Sequence, residues 1–80
     1  MNTSTIKVEP LATDVIFTTD SLRVVLADGR EVTAPLAWFP RLLSATKKQR
    51  ANWRLIGRGI GIHWPGVDED ISVESLLAKD

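Results

Sequence analysis

Apolar and polar positions alternate with a period of two in the first half of the chain. Leu22, Val24 and Leu26 share one side of the segment "LRVVL", and Arg23 lies on the other side. This period is typical of a half-buried β-strand. The β-branched and aromatic run "VIF" precedes the segment and "REVTA" follows it. We therefore predict an antiparallel three-stranded meander over about residues 13–35.

Turn residues set the boundaries of these strands. The "TTDS" segment separates the first two strands with residues that favour turns. Asp28-Gly29 predicts a two-residue hairpin turn of type I′, because glycine adopts positive φ freely and aspartate tolerates it. Pro35 predicts the end of the third strand, because proline has no backbone N–H to donate to a neighbouring strand.

Proline and capping residues indicate two short helices in the middle of the chain. Pro40 is tolerated only in the first turn of a helix, which places the start of "WFPRLLSA" near Trp38. Thr46 is a candidate N-cap for "TKKQRANW", and Gln49 is its capping-box partner. We predict these two helices over about residues 38–53.

The last third of the chain predicts one strand and one helix. Ile60, Ile62 and Trp64 alternate with smaller or polar residues, which predicts a further strand over about residues 59–64. Its glycines indicate that another backbone approaches closely. The segment "SVESLLAKD" predicts a C-terminal helix over about residues 72–78, with a serine at its N-cap.

These elements predict a single small α+β domain spanning residues 1–80, with the polar residues 1–12 loosely held. The chain contains no cysteine, which excludes disulfides and thiolate metal ligands, so the core must come from packing. Trp53 and Trp64 are expected in this core. Trp38 is the tryptophan for which an exception is most expected, because a short helix cannot cover every large ring and exposed aromatic residues mark partner surfaces.

No segment of the sequence predicts a membrane or secretory protein. Apolar runs are far shorter than the ~20 residues that a membrane span needs. The polar start of the chain lacks the apolar region of a signal peptide. We therefore expect a cytoplasmic location and no membrane partner.

The zero net charge conceals three blocks of different sign. Residues 1–31 hold five acids and three bases, residues 32–67 hold six bases and no acid, and residues 68–80 hold five acids and one base. The basic block of segment 41–58 is either a solvated surface, a surface for a protein partner or a nucleic-acid contact. A pI near 6.6 argues against a dedicated nucleic-acid binder. The candidate partner or nucleic-acid surface consists of Trp38, Arg41, Lys47, Lys48, Arg50, Arg54 and Arg58.

The segment "GIHWPGVDEDIS" places the only histidine a few residues before three consecutive carboxylates. One interpretation is a metal-dependent or proton-transferring site at His63, Asp68 and Asp70. Metal sites need at least three well-placed ligands, and consecutive acids do not all point one way. The alternative is a structural joint in which the acids complement the N-terminus of the following helix. We favour the joint, and predict no catalytic residue, no metal and no cofactor.

The motifs "PLAWFPRL" and "GIGIHWPGVDEDISVESLL" resemble those of bacterial domain-of-unknown-function family 2442. The resemblance covers about residues 13–78. It implies a small α+β fold that is also found ahead of a helix-turn-helix domain, which we do not expect within these 80 residues. It also implies members that are often encoded beside another small protein, as toxin–antitoxin pairs are. The family supplies no catalytic residues to carry over.

The sequence and the resemblance together predict a non-catalytic interaction module. Its expected role is accessory, regulatory or antitoxin-like, and its expected partner is another small protein. Homodimerisation is a further expectation, because the acidic block of one copy complements the basic block of another. Pairing of these blocks within one chain fits the sequence equally well. Nucleic acid is the alternative partner.

Overall fold

The computed structural model describes residues 10–78 and contains two antiparallel β-sheets with short helices between and after them. The elements in chain order are β1 (Ala12–Phe17), β2 (Ser21–Leu26), β3 (Glu31–Pro35), a 3₁₀ turn (Leu36–Trp38), α1 (Pro40–Leu43), α2 (Lys47–Ala51), β4 (Arg54–Ile56), β5 (Gly61–Trp64), β6 (Glu69–Ser72) and α3 (Val73–Ala78). The strand orders are β1-β2-β3 and β4-β5-β6. The predicted α+β class is confirmed. Most of the segment expected to be loosely held, residues 1–9, lies outside the described residues.

The first sheet is the predicted meander, but its second hairpin has a different turn. The loop contains three residues, since the Leu26 N–H donates to the Arg30 carbonyl at 2.8 Å. Gly29 alone in this loop has positive φ, at 94°, so the predicted two-residue type I′ turn is wrong. The Asp28 carboxylate accepts a hydrogen bond from the Arg30 N–H at 2.9 Å. This bond, reinforced by the Arg30 side chain, holds the pKa of the Asp28 carboxyl below its usual value.

One core cluster combines buried aliphatic residues and one tryptophan from both sheets and from the helices. In the first sheet, Leu22, Val24 and Leu26 are buried, as their alternation predicts. In the second sheet, Ile62 and Trp64 are completely buried. Burying each large side chain contributes about 1.5–3 kcal/mol, so these rows account for much of the stability of a domain without disulfides.

The two predicted helices begin where proline and threonine indicated. Pro40 occupies the first turn of α1, where its missing N–H would have no helical partner. The Thr46 hydroxyl accepts from the Gln49 N–H at 3.1 Å, and the Gln49 side chain accepts from the Thr46 N–H at 2.9 Å. This capping box is confirmed, and it determines where α2 begins.

The C-terminal third contains two strands that the sequence analysis does not predict. β4 has three residues, which is too short to show a period of two. β6 contains Glu69 and Asp70, so the acids form a hairpin turn and a strand rather than the approach to a helix. Ile60 lies in the β4–β5 turn and is 58% exposed, which contradicts its predicted place in a strand. The Ser72 hydroxyl accepts from the Ser75 N–H at 3.1 Å, so the predicted N-cap is confirmed.

A glycine contact joins the two sheets. The Ala12 N–H donates to the Gly59 carbonyl at 2.7 Å, and the Val73 N–H donates to the neighbouring Ile60 carbonyl at 3.0 Å. A Cβ atom on Gly59 would lie 2.4 Å from the Ala12 carbonyl oxygen. Gly59 also has a φ of 108°, which L side chains rarely adopt. The predicted close approach of a second backbone to this glycine segment is therefore confirmed.

Candidate functional site

A groove with a volume of about 720 Å³ lies between the first strand and the second helix. We call it the cationic groove. Its lining residues come from β1, the β1–β2 turn, α2 and the residue before β4, and they are Val15, Phe17, Thr18, Thr19, Lys47, Arg50, Ala51 and Trp53. Aliphatic and aromatic side chains supply the apolar part of the lining, and one lysine and one arginine supply the charge. Such a combination of apolar surface and few polar groups is typical of binding sites.

The capping box of α2 determines which cations reach the groove. Because α2 begins at Lys47, residues Arg50 and Ala51 follow at spacings of three and four, on the same side of the helix. These three residues line the groove, whereas Lys48 does not. Two lysines that are adjacent in the sequence therefore have different environments.

Arg50 is held in place by three contacts. Its Nε donates to the Leu42 carbonyl at 2.9 Å and its Nη2 donates to the Leu43 carbonyl at 3.0 Å. Its guanidinium carbon lies 5.5 Å from the centre of the Phe17 ring, which is a cation–π distance. An arginine ordered in this way loses little conformational entropy when a ligand binds.

Aromatic side chains fix the wall of the groove against the core. The Phe17 ring meets the Trp64 ring edge to face, with centroids 6.2 Å apart and an interplanar angle of 79°. The Trp64 indole N–H donates to the Arg50 carbonyl at 3.0 Å. Trp53 is half-buried and packs against the core cluster. The groove is therefore formed before any ligand binds.

No carboxylate of residues 10–78 lies in the lining of the groove. Within residues 10–78, the ion pairs are Arg23–Glu31, Arg30–Asp28 and His63–Asp70. None of them includes a cation from the basic segment 41–58. The expected pairing of basic and acidic blocks within one chain is therefore not seen in the described part of the structure. In this described part, no carboxylate forms an ion pair with Lys47 or Arg50.

The structure separates the residues that the sequence analysis grouped as one surface. Lys47 and Arg50 meet in the groove. Arg41 instead donates from Nη1 to the Asp68 carbonyl at 2.5 Å, so it ties α1 to the β5–β6 turn. Trp38 is 45% exposed, as predicted. The members of the predicted surface that do not line the groove are Trp38, Arg41, Lys48, Arg54 and Arg58.

The histidine and the acids form a strand-to-strand contact. His63 lies opposite Asp70 in the β5–β6 pair, and its Nδ1 hydrogen-bonds to the Asp70 carboxylate. Asp70 therefore does not cap a helix, contrary to the expectation. Asp68 has a φ of 53° in the hairpin turn. Among residues 10–78, no three His, Asp or Glu side chains are grouped so that they could hold a metal ion. The structure thus does not assemble the triad His63, Asp68 and Asp70.

Six of the eight lining residues lie outside the surface predicted from the sequence. Val15 and Phe17 were assigned only to a strand, and Thr18 and Thr19 only to a turn. A period of two indicates which residues share a face of one sheet, but it does not indicate which helix packs beside that sheet. The signal in this sequence was limited to an aromatic residue at the end of a strand, followed by two threonines.

The fold defines a small α+β domain made of two antiparallel three-stranded meanders. The chain belongs to the family described as proteins of unknown function, DUF2442, whose profile matches residues 12–80. It is similar to a protein of unknown function from Rhodospirillum rubrum ATCC 11170, solved by crystallography, with 28% identity and a TM-score of 0.74. That match covers 88% of this chain and 87% of the other. None of the curated proteins compared with the chain gives a significant match.

These comparisons confirm the family and the fold that the sequence motifs implied. The matched structure and the family are themselves described as being of unknown function, so neither assigns an activity. Within residues 10–78, no helix has both the length and the apolar character to cross a membrane.

Proposed function

We propose that this protein is a non-catalytic interaction module that binds an acidic segment of another small protein in the cationic groove. One observation carries the proposal: among the described residues, the groove lining contains apolar side chains and two cations but no carboxylate. A partner that supplies carboxylates would complement this charge, and its apolar side chains would remove the groove lining from water.

The composition of the groove supports a protein partner. Aromatic residues and arginine are enriched among the side chains that contribute most to protein–protein binding. Phe17, Arg50 and Trp53 place three such side chains in one groove. The contacts that fix Arg50 and Phe17 in the free protein lower the entropic cost of binding.

An accessory, regulatory or antitoxin-like role is part of the proposal. The family resemblance supports it, because the members it implies are often encoded beside another small protein. The product of the adjacent gene is therefore the first partner to test. The proposal assigns no chemical step to His63 or Asp70, since their hydrogen bond is part of the β5–β6 pairing.

The test is co-expression with the product of the adjacent gene, followed by titration calorimetry of the purified components. Lys47→Glu should weaken the complex roughly tenfold at low salt, because a carboxylate then replaces a groove cation. Lys48→Glu is the matched control, since Lys48 is adjacent, exposed and outside the groove. It should change the affinity less than about twofold. Absence of any complex, or equal losses in the two variants, would overturn the proposal.

Nucleic acid is the second candidate partner. The observation that favours it is that four exposed cations of the described chain form neither an ion pair nor a side-chain hydrogen bond. They are Lys47, Lys48, Arg54 and Arg58. Binding through them would weaken steeply with salt, because each phosphate contact releases counterions. Charge reversal at Lys47 and at Lys48 would then have similar effects. Undetectable affinity for DNA and RNA at low salt would dismiss this candidate.

A further inference from the structure

The first strand is both an edge of its sheet and a wall of the cationic groove. In the order β1-β2-β3, β1 pairs with β2 on one side, and its other side has no strand partner among the described residues. Val15 and Phe17 of β1 line the groove. The strand that carries the free edge of the sheet therefore also lines the groove.

The register shows which backbone groups point toward this edge. The Thr18 N–H donates to the Ser21 carbonyl at 2.9 Å, so these two residues form a hydrogen-bonded pair. In an antiparallel sheet, hydrogen-bonded and non-hydrogen-bonded pairs alternate. Phe17 pairs with Leu22 in the next position, so its N–H and C=O point away from β2. The same alternation directs the N–H and C=O of Val15 to the free edge.

One of these edge groups is already occupied. The Asp14 carboxylate accepts a hydrogen bond from the Val15 N–H at 2.8 Å. Phe17 has no backbone hydrogen-bond partner on its outer side among the described residues. Charged side chains commonly protect sheet edges in this way. Here the Asp14 carboxylate covers the Val15 N–H, but it does not cover the Phe17 N–H next to the β1–β2 turn.

We infer that the acidic partner segment binds as an added β-strand along β1, with its first hydrogen bonds to Phe17. This inference rests on the proposed function and specifies how the groove is used. Strand addition supplies main-chain hydrogen bonds, and side chains at alternate positions supply specificity. Alternate residues of the added strand face the groove, one apolar against Trp53 and one acidic against Lys47 and Arg50. Charge complementarity selects an acidic occupant, because the described chain contributes two cations and no carboxylate to the lining.

The opposite edge of the same sheet is an internal control. The Leu26 N–H to Arg30 carbonyl bond marks a hydrogen-bonded pair at the β2–β3 turn. By the same alternation, Thr33 of β3 directs its N–H away from β2. Thr33 lies outside the cationic groove. Phe17 and Thr33 therefore present outward amides on opposite edges of one sheet, and of these two residues only Phe17 lines the groove.

Amide hydrogen exchange measured by NMR tests the added strand. The probe is a capped eight-residue peptide with glutamate and valine alternating on one face and threonine on the other. Its binding should slow exchange of the Phe17 amide at least roughly tenfold, while the Thr33 amide is unchanged. Methylating the backbone nitrogens of the peptide on the paired edge should abolish binding. Methylating the nitrogens of the other edge should not.

The outcomes separate the added strand from the proposed function. Binding that depends on Lys47 but leaves the Phe17 amide unprotected overturns the added strand and leaves the proposed function standing. Absence of peptide binding also overturns the added strand, and the co-expression test then decides the proposed function independently. Protection of Phe17 that rises with protein concentration without peptide would identify a second copy as the occupant, and would also overturn the inference.

A second variant, Asp14→Ala, should change peptide binding in the opposite direction, by strengthening it. Asp14→Ala should strengthen peptide binding roughly fivefold, because it frees the Val15 N–H and removes a carboxylate from the edge. The Val15 amide should then also become protected when the peptide binds. Asp20→Ala is the control, since the Asp20 carboxylate accepts from the Ser21 hydroxyl and not from an edge amide. Weaker binding by Asp14→Ala would contradict the inference.

Discussion

The His63–Asp70 pair and the cationic groove differ in where their charges find partners. His63 and Asp70 lie opposite each other on adjacent strands, and they hydrogen-bond to each other. Lys47 and Arg50 lie beside apolar side chains from other elements, and none of the described carboxylates lies in the lining. The most chemically suggestive residues of the sequence are therefore satisfied within one sheet. The capacity to bind arises where elements distant in the sequence meet.

The largest expected effect comes from removing Trp64, because it supports both regions. It is adjacent to His63 in β5, and its ring and indole N–H contact the groove residues Phe17 and Arg50. Trp64→Ala should cost about 3–5 kcal/mol in the free energy of unfolding. Urea denaturation measures this loss. Leu43→Ala, at a site 49% exposed, should cost less than about 1 kcal/mol, and equal losses would contradict the role of Trp64.

Gly59→Ala should disturb the cationic groove and leave the His63–Asp70 pair intact. The new Cβ would clash with the Ala12 backbone at the joint between the sheets, and φ there is unfavourable, so the cost should be about 2–4 kcal/mol. The groove should then lose partner affinity, while the His63–Asp70 contact inside one sheet should persist in NMR spectra. Gly29 also has a positive φ, but a Cβ at this position would meet no atom within 4 Å. Gly29→Ala should therefore lower the free energy of unfolding by only about 1–2 kcal/mol. A larger loss of unfolding free energy in Gly29→Ala than in Gly59→Ala would contradict the predicted clash at Gly59.

Of the two regions, Thr46→Ala should affect only the cationic groove and not the His63–Asp70 pair. It removes half of the α2 capping box, which should cost about 1 kcal/mol by thermal or urea denaturation. Because α2 presents Lys47 and Arg50, partner affinity should also fall. Thr46→Ser keeps the hydroxyl acceptor, so it should retain most of the stability and most of the partner affinity. If the alanine variant binds as well as the wild type, the start of α2 does not organise the groove.

Asp70→Asn should have the smallest effect. The pair is solvent-accessible, with 34% of the His63 side chain and 69% of the Asp70 side chain exposed, and exposed pairs contribute about 0–1 kcal/mol. Urea denaturation should detect a change within that range, and calorimetry should show unchanged partner affinity. A large loss of affinity in this variant would mean that the histidine region, not the groove, carries the binding.

The elements of the fold that have strong local signals were predictable. The alternation of Leu22 and Val24, the capping box of Thr46 and the position of Pro40 all depend on residues within a few positions of each other. The second sheet was only partly predictable. β4 has too few residues to show a period, and in β6 the acids outnumber the apolar residues, so neither strand has a clear pattern.

The candidate site was less predictable than the fold. Lys47 and Arg50 belonged to the predicted surface, but so did Arg41, whose guanidinium holds a backbone carbonyl. Local sequence shows the charge of a side chain and not the acceptor it reaches. The acceptor of Arg41 lies 27 residues further along the chain, which explains why sequence reasoning could not separate these cations.

The sequence by itself determined the α+β class, the first meander, the two short helices and the unequal distribution of charge. These features depend on local periodicity, turn chemistry and capping, which act over a few residues. Only the tertiary structure decided that the histidine pairs across β5 and β6, and that β1, α2 and Trp53 enclose a cationic groove. Those contacts depend on packing between segments more than 25 residues apart in places, such as Phe17 beside Arg50, and no local pattern encodes which segments meet.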